Sequence, residues 1–129
     1  MPDARTIHLF WQAKGWPVVE VTAAVLSAYK PPVILDQGEI EVLALARAFP
    51  HALMLLDDET ARAEARRLEL RVRGTLGVLV QAYRAEILSF PEVALLLREI
   101  AARPDIWISA KLCEQVLQAL REEAASAHR

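Results

Sequence analysis

The feature that most constrains the fold is a short apolar run at residues 53–56, which two carboxylates, Asp57 and Asp58, follow at once. A continuous apolar run of this length is typical of a central strand that is covered on both faces. The residues after it, to about Leu68, favour a helix that one of the two aspartates would cap. This order predicts a strand that leads directly into a helix, with acidic side chains at the carboxyl end of the strand.

Helices and strands are expected to alternate along the rest of the chain. Helices are predicted at about residues 4–14, 37–49, 75–86 and 92–102 and from residue 110 onward, with a short helix or turn at residues 22–29 and strands at residues 16–21 and 70–73. N-caps are predicted at Asp36, Thr75, Ser89 and Ser109. Strands that alternate with helices indicate an α/β three-layer domain with a short, mostly parallel sheet.

The length favours a single domain over residues 1–129, in which residues 1–15 form an N-terminal helix and the polar tail, residues 121–129, frays. The chain is 54% hydrophobic with a net charge of −2, so it can build a core and has no overall attraction to nucleic acid. The single cysteine, Cys113, rules out an internal disulfide and a cysteine-rich zinc site. No apolar run is long enough for a signal peptide or a membrane span, and a cytoplasmic protein is expected.

Three acidic residues are candidate metal ligands: Glu39, Asp57 and Asp58. Mg²⁺ and Mn²⁺ prefer oxygen ligands, and carboxylates that meet at the carboxyl edge of a parallel sheet suit them. The alternative is structural, because acidic residues at helix N-termini accept backbone N–H bonds and oppose the helix dipole. Asp36 and Glu39 also fit a capping box. The spacing alone leaves both interpretations open.

Arginines make the central helices locally basic. Arg62 and Arg66 share one helix face and could contact an RNA backbone. The alternative is a solvated face on which these cations pair with acidic neighbours such as Glu59.

Three motifs in the central stretch resemble those of PIN-like proteins. They are Leu-Asp-Gln-Gly-Glu at residues 35–39, Leu-Leu-Asp-Asp-Glu-Thr-Ala-Arg at residues 55–62 and Val-Arg-Gly-Thr-Leu-Gly-Val-Leu at residues 72–79. The similarity is to a prokaryotic branch described as predicted nucleic-acid-binding proteins that contain a PIN domain. It covers about residues 16–120.

This resemblance implies a small Mg²⁺- or Mn²⁺-dependent ribonuclease fold, which in many relatives is the toxin half of a toxin–antitoxin pair. By the same resemblance, Glu39 and Asp58 would be the catalytic metal ligands, and Asp57 would be a neighbour that shares the site. Thr75 falls where many relatives place a further polar or acidic residue, and Arg62 belongs to a family-like Ala-Arg pair. Both would contact nucleic acid, and the implied partners are RNA and a cognate antitoxin protein.

One part of the family pattern has no counterpart here. PIN domains begin with an apolar strand that ends in an Asp ligand, and Asp3, between Met1-Pro2 and a helical pattern, does not match it. The resemblance therefore predicts an N-terminally shortened domain with an open sheet edge. A late start codon, a degenerate family member, or an edge covered by a partner or by a second copy in a dimer would each explain it. The alternative function is a catalytically incomplete module that acts through protein–protein interaction or self-association.

Overall fold

The computed structural model describes residues 2–106 and 108–127 and shows an α/β fold with helices around a small sheet. The elements in chain order are α1 (Pro2–Lys14), α2 (Ala23–Ser27), α3 (Gln37–Ala48), β1 (Leu53–Leu55), α4 (Glu59–Arg67), β2 (Arg71–Arg73), α5 (Thr75–Arg84), α6 (Phe90–Ala102) and α7 (Ala110–Ala127). The α/β class predicted from the sequence is confirmed. No helix in the described ranges is both long and apolar enough to cross a membrane.

The sheet consists of β1 and β2, which run parallel with Met54 opposite Val72. Parallel strands need a crossover between them, and α4 supplies it. Leu56 extends the pairing beyond β1, because its amide donates to the carbonyl of Arg73 at 3.0 Å. The carboxyl ends of both strands therefore lie side by side, and the chain leaves them at Asp57 and at Gly74.

Buried apolar side chains form two clusters. The first lies between the sheet and helices α2, α3 and α4, and its best-buried members are Leu43, Ala61 and Ala65. The second lies between α5, α6 and α7, and it includes Val93, Leu97 and Leu120. Cys113 is buried on α7, as expected of a small hydrophobic side chain, and burial raises the pKa of its thiol.

One charged side chain, Glu64, is buried at the edge of the first cluster. Its carboxylate accepts a hydrogen bond of 2.8 Å from Tyr29 Oη and two from Arg67, at 2.8 and 2.6 Å. The Arg67 bonds lower the pKa of Glu64 although burial opposes them. Burial, followed by the bond to Glu64, raises the pKa of Tyr29 to about 12. The network satisfies a charge that would otherwise be costly to bury.

Most helices begin where the sequence predicts. Asp36 and Glu39 form the expected capping box on α3, and Ser89 forms a second box with Glu92 on α6. The Ser109 hydroxyl accepts from the Leu112 amide at 3.1 Å at the start of α7. These caps depend only on residues that are three apart, so the sequence predicts them without knowledge of the tertiary packing.

Two predictions about elements are wrong. Residues 16–21 form no strand, because no neighbouring strand is placed to pair with them. The strand β1 is not covered on both faces: Met54 is buried, but Leu55 is 62% exposed. The last helix runs to Ala127, and residues 128–129 lie outside the described part of the chain. Fraying of the tail from residue 121 stays a prediction.

The first helix is exposed along its length, together with the segment that follows it. Phe10, Trp11 and Trp16 pack on one another as edge-to-face pairs, with ring centroids 5.5 Å apart for Phe10–Trp16 and 5.2 Å apart for Trp11–Trp16. All three stay more than a third exposed to solvent. The cluster therefore holds α1 to the segment after it rather than to either buried core.

Candidate functional site

The predicted acidic residues lie together beside the carboxyl ends of the strands. They line a cavity of about 600 Å³, the acidic cavity, which is bounded by Asp36, Glu39, Asp57, Asp58, Glu59 and Arg62. The start of α3 supplies Asp36 and Glu39, and the link from β1 to α4 supplies Asp57 and Asp58. Two helix N-termini, which favour anions, therefore place their carboxylates at the same opening.

Two of these carboxylates act as helix caps. Glu39 Oε2 accepts from the Asp36 amide at 3.0 Å, and Asp58 Oδ2 accepts from the Ala61 amide at 2.9 Å. The capping interpretation of the sequence is therefore confirmed for both residues. Each cap uses one carboxylate oxygen, and Glu39 Oε1 and Asp58 Oδ1 have no hydrogen-bond partner among the described residues.

Asp57 has a different role from its neighbour. Its Oδ1 accepts from the Thr75 amide at 2.7 Å, and its Oδ2 accepts from the Thr75 hydroxyl at 2.6 Å. The prediction that Thr75 caps α5 is wrong, because Gly74 is the N-cap and Thr75 is the first helical residue. The hydroxyl donates to Asp57 instead, and this pair joins the end of β1 to the start of α5.

Arg62 closes one side of the acidic cavity. Its Nη1 donates to the Asp57 carbonyl at 3.1 Å, and its Nη2 donates to Glu59 Oε2 at 2.5 Å. Arg66 Nη1 reaches the other Glu59 oxygen at 3.2 Å. These bonds from Arg62 and Arg66 lower the pKa of Glu59. The predicted pairing of these arginines with Glu59 is therefore present, although it leaves Arg62 Nε buried and without a partner in the described ranges.

A glycine makes this close packing feasible. A Cβ on Gly74 would lie 2.6 Å from Arg62 Nη1 and 3.1 Å from Asp57 Oδ1. Both separations are below ordinary van der Waals contact. Any larger residue at position 74 would therefore push Arg62 away from the Asp57 carbonyl.

The donor chemistry of the acidic cavity suits a hard divalent cation, since its ligand atoms would be carboxylate oxygens. Glu39 Oε1 and Asp58 Oδ1 are the two oxygens without another bond. Across residues 2–106 and 108–127, no three Asp, Glu, His or Cys side chains come close enough to hold one ion together. The residues therefore fit an ion that takes one or two protein carboxylates and keeps several waters, as Mg²⁺ commonly does.

The sequence matches a family model, DUF3368, described as a PIN domain, over residues 1–122. The chain therefore belongs to the PIN-domain family, as the motifs around Glu39, Asp58 and Thr75 predict. PIN domains have a nuclease-like fold, are associated with nucleic acid, and generally use divalent metals. A search of curated proteins and a search of solved structures each found no match.

Two residues of the acidic cavity were not predicted as part of a site. Asp36 was predicted only as a cap and Glu59 only as an ion-pair partner, yet both line the cavity. The signal for Asp36 was present, since a capping box places its two acidic residues at the same helix end.

Proposed function

We propose that this PIN domain is a metal-dependent ribonuclease of the toxin–antitoxin type that hydrolyses phosphodiester bonds in RNA. The observation that supports it most is the shared lining of the acidic cavity by Glu39 and Asp58, each with one carboxylate oxygen free. Membership of the PIN-domain family adds the nuclease-like fold and the general use of divalent metals.

In this proposal Glu39 and Asp58 hold Mg²⁺ or Mn²⁺, and Asp57 is a secondary ligand. The bound ion supplies Lewis acidity toward the phosphodiester and lowers the pKa of a coordinated water. Arg62 faces the same cavity, and its guanidinium suits a phosphate oxygen. Thr75 keeps Asp57 in place through two hydrogen bonds. In this proposal Thr75 is also a contact to the RNA.

The test is RNA cleavage by the full chain in Mn²⁺, with variants that keep the caps but remove the charge. Glutamine still accepts the capping-box bond at position 39, and asparagine is a good N-cap at position 58. Glu39→Gln and Asp58→Asn should each reduce the cleavage rate by about tenfold to a hundredfold. Glu41→Gln, two residues along α3 and outside the cavity, is the control and should retain the wild-type rate. Absence of cleavage by the wild type, or equal rates for all variants, would refute the proposal.

A second candidate function is a catalytically incomplete PIN module that acts through a protein partner, such as a cognate antitoxin, or through a second copy of itself. Two observations favour it. The described carboxylates do not form a three-ligand group, and Leu55 and the aromatic cluster of Phe10, Trp11 and Trp16 leave apolar surface exposed. In that case the protein would cleave no RNA, and its mass in solution would be that of a dimer or a complex.

A further inference from the structure

A second cavity opens next to the acidic one and has the opposite charge. This arginine cavity has a volume of about 470 Å³ and lies between β2, the start of α5 and the start of α7. Asp57 and Arg62 line both cavities, so the two share a wall. A chain-like ligand that occupies one cavity can therefore continue into the other without leaving the surface.

Three arginines face the arginine cavity: Arg62, Arg66 and Arg73. Glu59 pairs with the first two, and Asp57 is the carboxylate in the cavity wall. Both Asp57 side-chain oxygens are already occupied by Thr75. The carboxylates of Glu59 and Asp57 neutralise two of the three guanidinium charges, so a net charge of about +1 remains.

Arg73 is the arginine most available to a ligand. No described carboxylate lies within ion-pair distance of its guanidinium, and the guanidinium makes no hydrogen bond to a described residue. Its aliphatic stem crosses Gly77, where an added Cβ would meet Arg73 Cγ at 2.6 Å. This packing fixes the stem and leaves the guanidinium at the cavity with its donors unused. Because a guanidinium offers paired N–H donors, it matches phosphate geometry.

Apart from Ser109 and two glycines, the rest of the wall is apolar. Its apolar side chains are those of Val72, Leu76, Ile108, Leu112 and Val116, and Leu112 is 42% exposed although it points into the concavity. An anion such as inorganic phosphate gains nothing from such a surface. A nucleotide, in contrast, offers a phosphate to the arginines and a base or sugar face to the aliphatic side chains, and a cavity of this size can enclose one.

We propose that the arginine cavity is a nucleotide subsite. It holds the nucleotide that is adjacent, along the RNA strand, to the nucleotide bound at the acidic cavity. The ligand is a single RNA strand, and this identification rests on the proposed function. Arg73 is the principal phosphate contact, Arg62 bridges the two cavities, and Leu112 forms part of the surface under the base. Binding at this subsite requires no metal ion.

The test measures RNA binding by fluorescence anisotropy in EDTA, so that neither metal nor cleavage contributes. The probe is a labelled single-stranded RNA of about eight nucleotides, within the usual range for one small binding site. Arg73→Met keeps the stem over Gly77 and removes the charge. It should weaken binding by about tenfold and reduce the slope of log K against log salt by about 0.7. Arg73→Lys should restore the slope.

The matched control is Arg71→Met, which removes the same charge from the same strand at a residue outside the cavity lining. It should bind within about twofold of the wild type, a difference below 0.5 kcal/mol. Leu112→Glu, at a partly exposed position, should weaken binding at least as much as Arg73→Met. A nucleoside 5′-monophosphate should displace the RNA at a lower concentration than inorganic phosphate does.

Equal losses for Arg73→Met and Arg71→Met would overturn the inference, as would an absence of RNA binding or equal competition by inorganic phosphate. The failure of the proposed function looks different. If RNA binds in EDTA with the Arg73 dependence but is never cut in Mn²⁺, the subsite stands and the ribonuclease proposal fails. If cleavage depends on Glu39 while Arg73→Met and Arg71→Met weaken RNA binding equally, the ribonuclease proposal stands and the subsite inference fails.

Discussion

At the scale of single residues, the candidate site is built from side chains that also hold the fold together. Glu39 and Asp58 cap helices, and Asp57 joins β1 to α5 through Thr75. These bonds fix the carboxylates before any ligand arrives, which is the kind of preorganisation that binding sites need. They also explain why the residue spacing in the sequence could not distinguish helix caps from metal ligands. A carboxylate has two oxygens, so one can cap a helix while the other binds an ion.

Alanine substitutions at Gly74 and at Gly38 should change the free energy of unfolding in opposite directions. Gly74→Ala places a Cβ against Arg62 and Asp57, so we expect the free energy of unfolding to fall by about 1–3 kcal/mol and the Arg62 bond to Asp57 to be lost. Gly38→Ala meets no atom within 4 Å in the first turn of α3. It should raise the free energy of unfolding by about 0.5–1 kcal/mol. Urea denaturation of both variants checks this, and equal effects would contradict it.

The buried Tyr29–Glu64 pair predicts a loss of stability at alkaline pH. The pKa of Tyr29 is raised from 10.0 to about 12, so the folded protein keeps a proton that the unfolded chain loses. This contribution is complete below the unfolded pKa of 10.0 and is lost as the pH rises to about 12. Urea denaturation across this range should show a steeper decline for the wild type than for Tyr29→Phe. Parallel declines would show that the phenol is not the group responsible.

At the scale of elements, the local capping signals were reliable except at Thr75, and the strand signals were less so. The predicted N-caps Asp36 and Ser89 correctly marked helix starts, because the capping bonds join residues three apart. Residues 16–21 contain three valines, which favour a strand, but have no strand to pair with in the described ranges, and composition alone cannot supply a hydrogen-bonding neighbour. The apolar run at residues 53–56 was correctly assigned to a strand, but its sequence does not say which faces are covered.

The uneven burial of β1 predicts unequal effects of truncating adjacent side chains. Met54 is 5% exposed and belongs to the first cluster, so Met54→Ala should reduce the free energy of unfolding by about 2–5 kcal/mol. Leu55 is mostly exposed, and Leu55→Ala should change it by less than about 0.5 kcal/mol. Urea denaturation gives both values. A large loss for Leu55→Ala would mean that its face is covered in solution, as self-association would require.

At the scale of the whole molecule, the fold class and the acidic cavity were predictable, and the arginine cavity was not. Order and spacing in the central stretch place Glu39 and Asp58 at neighbouring helix starts, and the family match agrees with that pattern. The arginine cavity needs α7 to pack beside β2 and α5, which brings Leu112 within reach of Arg73. Contacts between residues so far apart in the chain leave no local signature in one sequence.

The proposed function requires Glu39 and Asp58 to bind a divalent ion, and thermal melting in Mn²⁺ tests this directly. At a free Mn²⁺ concentration about ten times Kd, binding to the folded state adds about 1.4 kcal/mol of stability, which is several degrees in Tm for a small domain. We predict this rise for the wild type and for Glu41→Gln, and none for the Glu39→Gln, Asp58→Asn double variant. A wild-type Tm unmoved by Mn²⁺, or an equal rise in the double variant, would contradict the assignment.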